Sequence, residues 1–394
     1  LIFRAAFAIA LVAGCSGGDK TFVQTDDDEP TTDLDGDGWS LADGDCDDDD
    51  DRRYPGATDI SGDAIDQDCD GVDGVDGDGD GQAGQGSGGD DCNDADPTIS
   101  LGAPEVGWDD IDQDCDGRDR FDFAFLAAGY DHTCGVDTTG LIRCFGNDDA
   151  GQVGARPIDG GWDQVCAGRK FSCAVGTDRR LACWGDDAKN QVADTPAGEF
   201  TQVSCTHEFA CALDTSGGVV CWGDDEAGTV TEAPSGGFQF DSVAAGQEHG
   251  CAVTRSTGQV ACWGNDGNGQ VRLRPITDGF VSVVSGAQHS CAVREDLGLD
   301  CWGADNFQQT AAPSEAGPFA MLSSSNHTTC SLANGVELAC WGLDSQYQVQ
   351  SAPTDVEARF VAMGHEHGCV VRAQDGELQC WGKNVDGRAT PPWP

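Results

Sequence analysis

The chain has 394 residues, enough for two or three domains, and a formal charge of −49. That balance argues against any nucleic-acid partner, since gripping phosphates needs a basic surface, and it favours multivalent cations or basic partners. With 21 cysteines the chain reads as exported and disulfide-bonded, and 56 glycines with scattered aromatics favour short strands over helices.

Residues 1–14 hold one basic residue, Arg4, followed by an apolar run over 5–13. The run is too short to span a bilayer as a helix and fits the apolar region of a signal peptide. "LVAGC" resembles a bacterial lipobox. That resemblance implies that Cys15 is the lipidated first residue of the mature chain and attaches it to a membrane through a lipid anchor. It also implies that Ser16 does not signal inner-membrane retention, so an outer-membrane or cell-surface location is expected, with a periplasm-facing orientation left open. An ordinary signal peptide with an incidental cysteine is the alternative. Residues 15–32 then form a polar, flexible tether.

From 19 to 120 the chain carries 35 acidic residues against five Lys or Arg. Two copies divide this region, 33–71 and 72–118: "DCDDDD…GDAIDQDCDG" recurs as "DCNDAD…WDDIDQDCDG", with Cys46 to Cys69 and Cys92 to Cys115 both 23 apart. Asp33, Asp35 and Asp37 alternate with Gly36 and Gly38, and Asp76, Asp78 and Asp80 with Gly79 and Gly81. Alternating carboxylates around a glycine turn wrap oxygens about a hard cation, and Ca²⁺ takes six to eight of them. Gly44 and Ser87 stand where an EF-hand has its Glu, so neither loop is an EF-hand. A disordered acidic tail is the competing reading, and the recurring spacings weigh against it. With so few apolar residues, metal and disulfides have to supply the stability.

"DLDGDGWSLADGDCDDDD" with "IDQDCDG" resembles the MopE-type metal-binding repeat of bacterial surface proteins and is similar to thrombospondin type 3 repeats. The resemblance implies bound Ca²⁺ and the pairings Cys46–Cys69 and Cys92–Cys115. On it the candidate ligands are Asp33, Asp35, Asp37, Asp43, Asp45, Asp48, Asp50, Asp66, Asp68 and Asp70 in the first copy. In the second they are Asp76, Asp78, Asp80, Asp91, Asp94, Asp96, Asp112, Asp114 and Asp116. Three features qualify it. Many relatives carry a further cysteine that this chain lacks. The "GQGSGG" insertion weakens the first site of the second copy. Copper, which the family name suggests, lacks its usual His, Met and thiolate ligands here.

Residues 121–394 differ in composition and repeat seven times with a period near 39. The first cysteine of each unit is Cys134, Cys173, Cys211, Cys251, Cys291, Cys330 or Cys369. The second is Cys144, Cys183, Cys221, Cys262, Cys301, Cys340 or Cys380, followed by Trp-Gly in six units and by Phe145-Gly146 in the first. A short strand such as "VAAG" precedes each pair. A period near 40 with several short strands per unit predicts a β-propeller, so the chain as a whole is predicted mainly β, a seven-bladed propeller behind an irregular, Asp-rich, disulfide-linked repeat region. A spacing of ten places the two cysteines opposite each other across a three-residue turn, and a spacing of eleven across a two- or four-residue turn. Gly140, Gly217, Gly258 and Gly376 stand where such turns need positive φ. A cross-strand disulfide with Cα atoms near 5.5 Å apart is therefore expected in each blade. His132, His249, His289 and His367 precede first cysteines, but Phe171, Phe209 and Thr328 replace them elsewhere, which favours a structural histidine over a metal ligand. Cys166 and Cys205 stand outside the pattern on neighbouring innermost strands. They are either one inter-blade bond or two buried thiols.

"AAGQEHGCAV" followed by "CWGNDGNGQV", with its six counterparts, resembles the regulator of chromosome condensation family of seven-bladed propellers. The resemblance implies the fold and, more loosely, protein binding through loops. No catalytic motif is present. The expectation is a monomeric binding protein rather than an enzyme, anchored by lipid, with Ca²⁺ in its repeats and a protein or glycan partner at the propeller loops. The alternatives are an enzyme with an axial site, which the small apolar inner strands disfavour, and a metal-sequestering surface protein.

Overall fold

The computed structural model describes residues 31–60, 65–103, 111–115, 123–313, 317–334 and 336–391. The expected signal-peptide region, Cys15 and Asp116 lie outside them. The described residues form two compact units, one made of those within 31–103 together with 113–115, the other of 111–112 and those from 123 onward.

The first unit is almost free of regular structure. Disulfides Cys46–Cys69 and Cys92–Cys115 tie its two copies, with Cα atoms 5.5 and 5.6 Å apart. The copies share a backbone scaffold: Tyr54 N–H donates to Gln67 C=O and Gly56 N–H to Asp68 C=O. Ser100 with Gln113 and Gly102 with Asp114 do the same one repeat later. Ala83 and Ile99 are its buried hydrophobic side chains among the described residues, too few for an apolar core.

The second unit is seven antiparallel three-stranded sheets. Blade 1 is β1 (Phe123–Ala128), β2 (His132–Asp137) and β3 (Ile142–Gly146). Blade 2 is β4 (Trp162–Ala167), β5 (Phe171–Gly176) and β6 (Leu181–Gly185). Blade 3 is β7 (Phe200–Cys205), β8 (Phe209–Asp214) and β9 (Val219–Gly223). Blade 4 is β10 (Phe240–Ala245), β11 (His249–Thr254) and β12 (Val260–Gly264). Blade 5 is β13 (Phe280–Ser285), β14 (His289–Arg294) and β15 (Leu299–Gly303). Blade 6 is β16 (Phe319–Ser325), β17 (Thr328–Ala333) and β18 (Glu337–Gly342). Blade 7 is β19 (Ala358–Met363), β20 (His367–Arg372) and β21 (Leu378–Gly382). Among the described residues no strand is shared between sheets, so the blades are joined by side-chain packing, by the Cys166–Cys205 bond and by hydrogen bonds that cross from one blade to the next.

The seven blade pairs sit where the spacing argument puts them. Cys134 opposes Cys144 and Cys251 opposes Cys262 in register. Asp137 N–H bonds Leu141 C=O around a three-residue turn, and Thr254 N–H bonds Gln259 C=O around a four-residue one. Gly140 and Gly258 adopt φ 83° and 67° there, a region only glycine enters freely. The Cα atoms are 4.0–4.1 Å apart rather than the expected 5.5 Å, because the cysteines occupy non-hydrogen-bonded pairs, where antiparallel strands bring opposed residues closest. Cys166 and Cys205 are bonded, linking β4 to β7.

The core lies between blades. Each apolar cluster joins the cysteine pair of one blade to the tryptophan of the next: Cys134, Val136, Ile142 and Cys144 pack against Val165, Ala174 and Trp184. The same arrangement recurs around the ring, and Cys369 and Val371 of blade 7 pack against Phe123 and Phe145 of blade 1 to complete it. Each buried indole N–H also donates to the preceding blade's loop, as Trp184 does to Gln152 C=O at 2.9 Å and Trp302 to Gln270 C=O at 2.8 Å.

Candidate functional site

In the first repeat Asp33 folds the loop around itself: its two oxygens accept the N–H groups of Gly36 (2.7 Å) and Gly38 (3.0 Å). Asp76 does the same with Gly79 (2.7 Å) and Gly81 (2.9 Å). Three further carboxylates converge on each loop. Asp35, Asp37 and Asp45 use Oδ1 to accept the N–H two residues on, from Asp37, Trp39 and Asp47 (3.1, 2.8 and 2.8 Å). Their Oδ2 atoms are buried without a hydrogen-bond partner. Asp78, Asp80 and Asp91 repeat this, with Oδ1 on Asp80, Gln82 and Asn93 (3.2, 2.9 and 2.8 Å) and Oδ2 again unpartnered. Asp45 and Asp91 are 4 % and 1 % exposed. Burial, and then the neighbouring carboxylates, push the carboxyls of Asp35 and Asp78 above the ordinary value. Buried carboxylate oxygens without partners are costly. A hard cation offers each of them a bond, and these residues fit one.

The GQGSGG insertion does not disturb the second copy. It turns through Gln85–Ser87, while Gln85 N–H bonds Asp91 C=O at 2.8 Å, so the carboxylates of the two copies keep one arrangement.

A second cluster brings carboxylate oxygens of Asp59, Asp66 and Asp68 within 4.8 Å of one another. Asp66 Oδ1 is buried without a partner, and burial raises the Asp68 carboxyl, helped by the charges of Asp70, Asp59 and Asp66. Sequence reasoning missed Asp59. It accepts N–H groups from Ile60 (3.0 Å), Gln67 (2.9 Å) and Gly74. Aligning the two copies shows the acidic Glu105 at its counterpart position, a signal that was available. Asp112 and Asp114 hold the equivalents of Asp66 and Asp68 in the second copy.

The remaining candidates have other tasks. Asp48 and Asp94 brace the loops by accepting the N–H groups of Leu34 (3.1 Å) and Gly77 (2.6 Å). Asp70 accepts from Val72. Three others make local contacts: Asp43 accepts from Ser40 Oγ, Asp50 pairs with Arg52, and Asp96 accepts from the N–H and hydroxyl of Thr98.

The propeller has a site of its own. All seven first strands line an axial cavity of about 380 Å³. Its walls are mixed, with Val165, Val203 and Ala245 beside Phe125, Phe360, Gln164, Gln202 and Ser323, so the small apolar axis expected from the sequence is only partly found, and one mouth is polar. The residue after each inner turn's first position differs from blade to blade, and Tyr130, Arg169, His207, Gln247, Asn326 and His365 all face this mouth. Tyr130 stacks on His365 at 3.7 Å, His207 meets its edge at 6.1 Å, and Arg169 covers it at 5.6 Å. The sequence reading judged the axis from its strands and overlooked these turns.

These features define a disulfide-stapled seven-bladed propeller preceded by two acidic repeats built like cation sites. The Cu-binding MopE motif matches residues 45–74 and 91–119, and the regulator of chromosome condensation (RCC1) repeat matches 123–152, 162–191, 200–229, 240–270 and 359–388. The chain thus carries MopE-type motifs followed by regulator of chromosome condensation repeats, which these matches place on blades 1 to 4 and 7. Comparison with curated proteins gives no match. Among solved structures, the chain is similar to the ectodomain of the Physcomitrella patens receptor kinase CR4 (23 % identity, TM-score 0.57, covering 66 % of this chain and 73 % of that one). It is also similar to the CRINKLY WD40 ectodomain of the Arabidopsis thaliana receptor kinase ACR4 (23 %, 0.56, 69 % and 98 %). A third likeness is to yeast RCC1 (Prp20), solved with Kap60 (16 %, 0.51, 67 % and 81 %). At these identities the likeness is one of fold.

Proposed function

We propose that this chain is an exported lipoprotein, anchored at the cell surface through Cys15, whose Asp-rich repeats are ordered by Ca²⁺ and whose propeller binds a protein or glycan partner. The observation that carries the metal assignment is the row of six buried, unpartnered Oδ2 atoms on Asp35, Asp37, Asp45, Asp78, Asp80 and Asp91. Every donor in these clusters that is free to bind metal is a carboxylate oxygen, while Cys46, Cys69, Cys92 and Cys115 are consumed in disulfides. Oxygen-only sites suit Ca²⁺ and not copper. Binding through the propeller is supported by its repeats, whose scaffold residues recur while the mouth residues vary, and by the presence of protein-binding members in the family.

Limited proteolysis of the full chain tests the metal. With Ca²⁺, residues 33–118 are expected to resist cleavage, and chelation is expected to expose them while sparing the propeller. Equal cleavage in both conditions refutes the calcium role. Cys15→Ser tests the anchor: the variant is expected in the soluble fraction, and its retention on membranes removes the lipid attachment.

A further inference from the structure

We infer that the polar mouth of the axial cavity is a binding site for an uncharged sugar residue, a reading that rests on the binding role proposed above and gives it a location and a ligand class. The mouth is built rather than incidental. Tyr130 N–H donates to Gly168 C=O (3.0 Å), Arg169 N–H to His207 C=O (3.1 Å), Gln247 N–H to Gly286 C=O (3.2 Å) and His365 N–H to Gly129 C=O (3.1 Å). Each of these bonds runs from one blade to the next, so the turns carrying the polar side chains are tied by backbone at four of the seven blade boundaries. Turns tied in this way lose little freedom when a ligand arrives.

Its chemistry selects against charge. Arg169 pairs with Glu208 (Nη1 to Oε1, 3.1 Å), Glu366 with Lys383 (2.5 Å), and Asp131 with Arg388. Arg169 is the cation that lines the cavity, and its pairing with Glu208 offsets its charge there, while Lys383, Arg388, Asp131 and Glu366 pair outside the lining. Burial holds the His207 imidazole below its ordinary value and lowers His365 to about 4, so both are neutral at pH 7. Neutral imidazoles, the amides of Gln247 and Asn326 and the Tyr130 hydroxyl each combine donor and acceptor capacity. That is the complement of a ring of hydroxyl groups, which also donate and accept. A cavity of about 380 Å³, with mixed apolar and polar walls and a polar rim, falls at the small end of the range for small-ligand sites.

The test uses the full chain in saturation-transfer NMR with glucose, galactose, mannose and N-acetylglucosamine, and with N-acetylneuraminate and glucosamine as charged comparisons. At least one neutral sugar is expected to bind. His207→Ala and Gln247→Ala are each expected to weaken it tenfold or more while the near-ultraviolet circular dichroism of the propeller stays unchanged. Two variants are used so that a folding defect in one leaves the other informative. Response to none of the sugars, response to charged sugars alone, or neutral binding that both variants leave intact overturns the assignment. Retention of the chain on glycan or protein arrays, unaffected by either variant, removes the mouth but leaves the broader binding role standing. Retention on neither array removes both.

Discussion

His132 Nε2 lies 2.7 Å from Ser172 Oγ, a hydrogen bond that crosses from blade 1 to blade 2 with both side chains fully buried. The relationship recurs wherever the histidine does: His249 with Ser290 (2.8 Å), His289 with Thr329 (2.7 Å) and His367 with Thr133 (2.9 Å). Where the histidine is absent, its partner position loses the hydroxyl too. Phe171 is matched by Ala210 in the next blade, Phe209 by Gly250 and Thr328 by Gly368. The histidine is therefore half of an inter-blade joint, and its residue type is set by what the following blade presents.

Removing one half leaves a buried imidazole nitrogen without a partner. Ser172→Ala should cost about 1–3 kcal/mol and lower the melting temperature. The double change His132→Phe with Ser172→Ala installs the joint used between blades 2 and 3, and should recover most of the loss. Thermal unfolding of the four proteins of this cycle measures the coupling. Additive losses would mean that the two side chains do not act as a pair.

The same joints make the propeller sensitive to acid. Burial lowers His132 and His249 from 6.5 to about 4, and His289 and His367 to about 3. Other charges act on them more weakly: Asp148 raises His132, while Arg388 lowers His367. The unfolded chain takes up these protons first, so stability is complete above pH 6.5 and is lost as pH falls toward 4 and then 3. Each histidine should remove about 1.4 kcal/mol per pH unit below 6.5 until its folded value is reached. Urea unfolding followed by tryptophan fluorescence at pH 7.5 and 5.0 checks this. The His132→Phe, Ser172→Ala double variant should show a shallower loss, and a stability that does not change between these pH values would exclude the mechanism.

These joints also mark where the sequence stops being readable. Cysteine spacing, turn glycines and the Trp-Gly step are local, so the hairpins and the number of blades follow from them directly. The His–Ser contact joins residues about one repeat apart and becomes visible only when each repeat is compared with its successor. In the acidic region the alternation of Asp33, Asp35 and Asp37 reveals a loop. It does not reveal that Asp59 turns inward, because that depends on how the chain folds back through Cys46–Cys69. The axial mouth was hidden for a different reason: its polar groups sit on the turns and not on the strands nearest the axis.

The ring closes on a joint unlike the others. Blade 1 has Phe145 where six blades have tryptophan, and the final loop has Arg388 where five loops have a buried glutamine such as Gln152 or Gln270 and one has Thr229. Phe145 has no N–H to donate, and Arg388, 3 % exposed, instead forms an ion pair with Asp131 of blade 1. Arg388→Ala should destabilise the propeller by about 3–5 kcal/mol, because it strands a half-buried carboxylate. Arg388→Gln together with Phe145→Trp should lose less than Arg388→Ala, since it restores the joint found at the other blade boundaries. Equal melting temperatures for wild type and Arg388→Ala would show that closure does not depend on this pair.

Calcium stoichiometry separates ligands from bystanders. In Asp45→Asn the Oδ1 acceptor for Asp47 N–H is kept while the unpartnered Oδ2 becomes an amide nitrogen, which cannot bind a hard cation. The variant should bind fewer Ca²⁺ ions than wild type by calorimetry while retaining the Cys46–Cys69 bond. Asp91→Asn should remove the corresponding site in the second copy, and the two changes should be independent. Asp50→Asn should leave the stoichiometry unchanged, because that carboxylate is already held by Arg52. A loss of binding in Asp50→Asn as large as in Asp45→Asn would mean that the acidic repeats attract calcium by net charge rather than through the converging Oδ2 atoms.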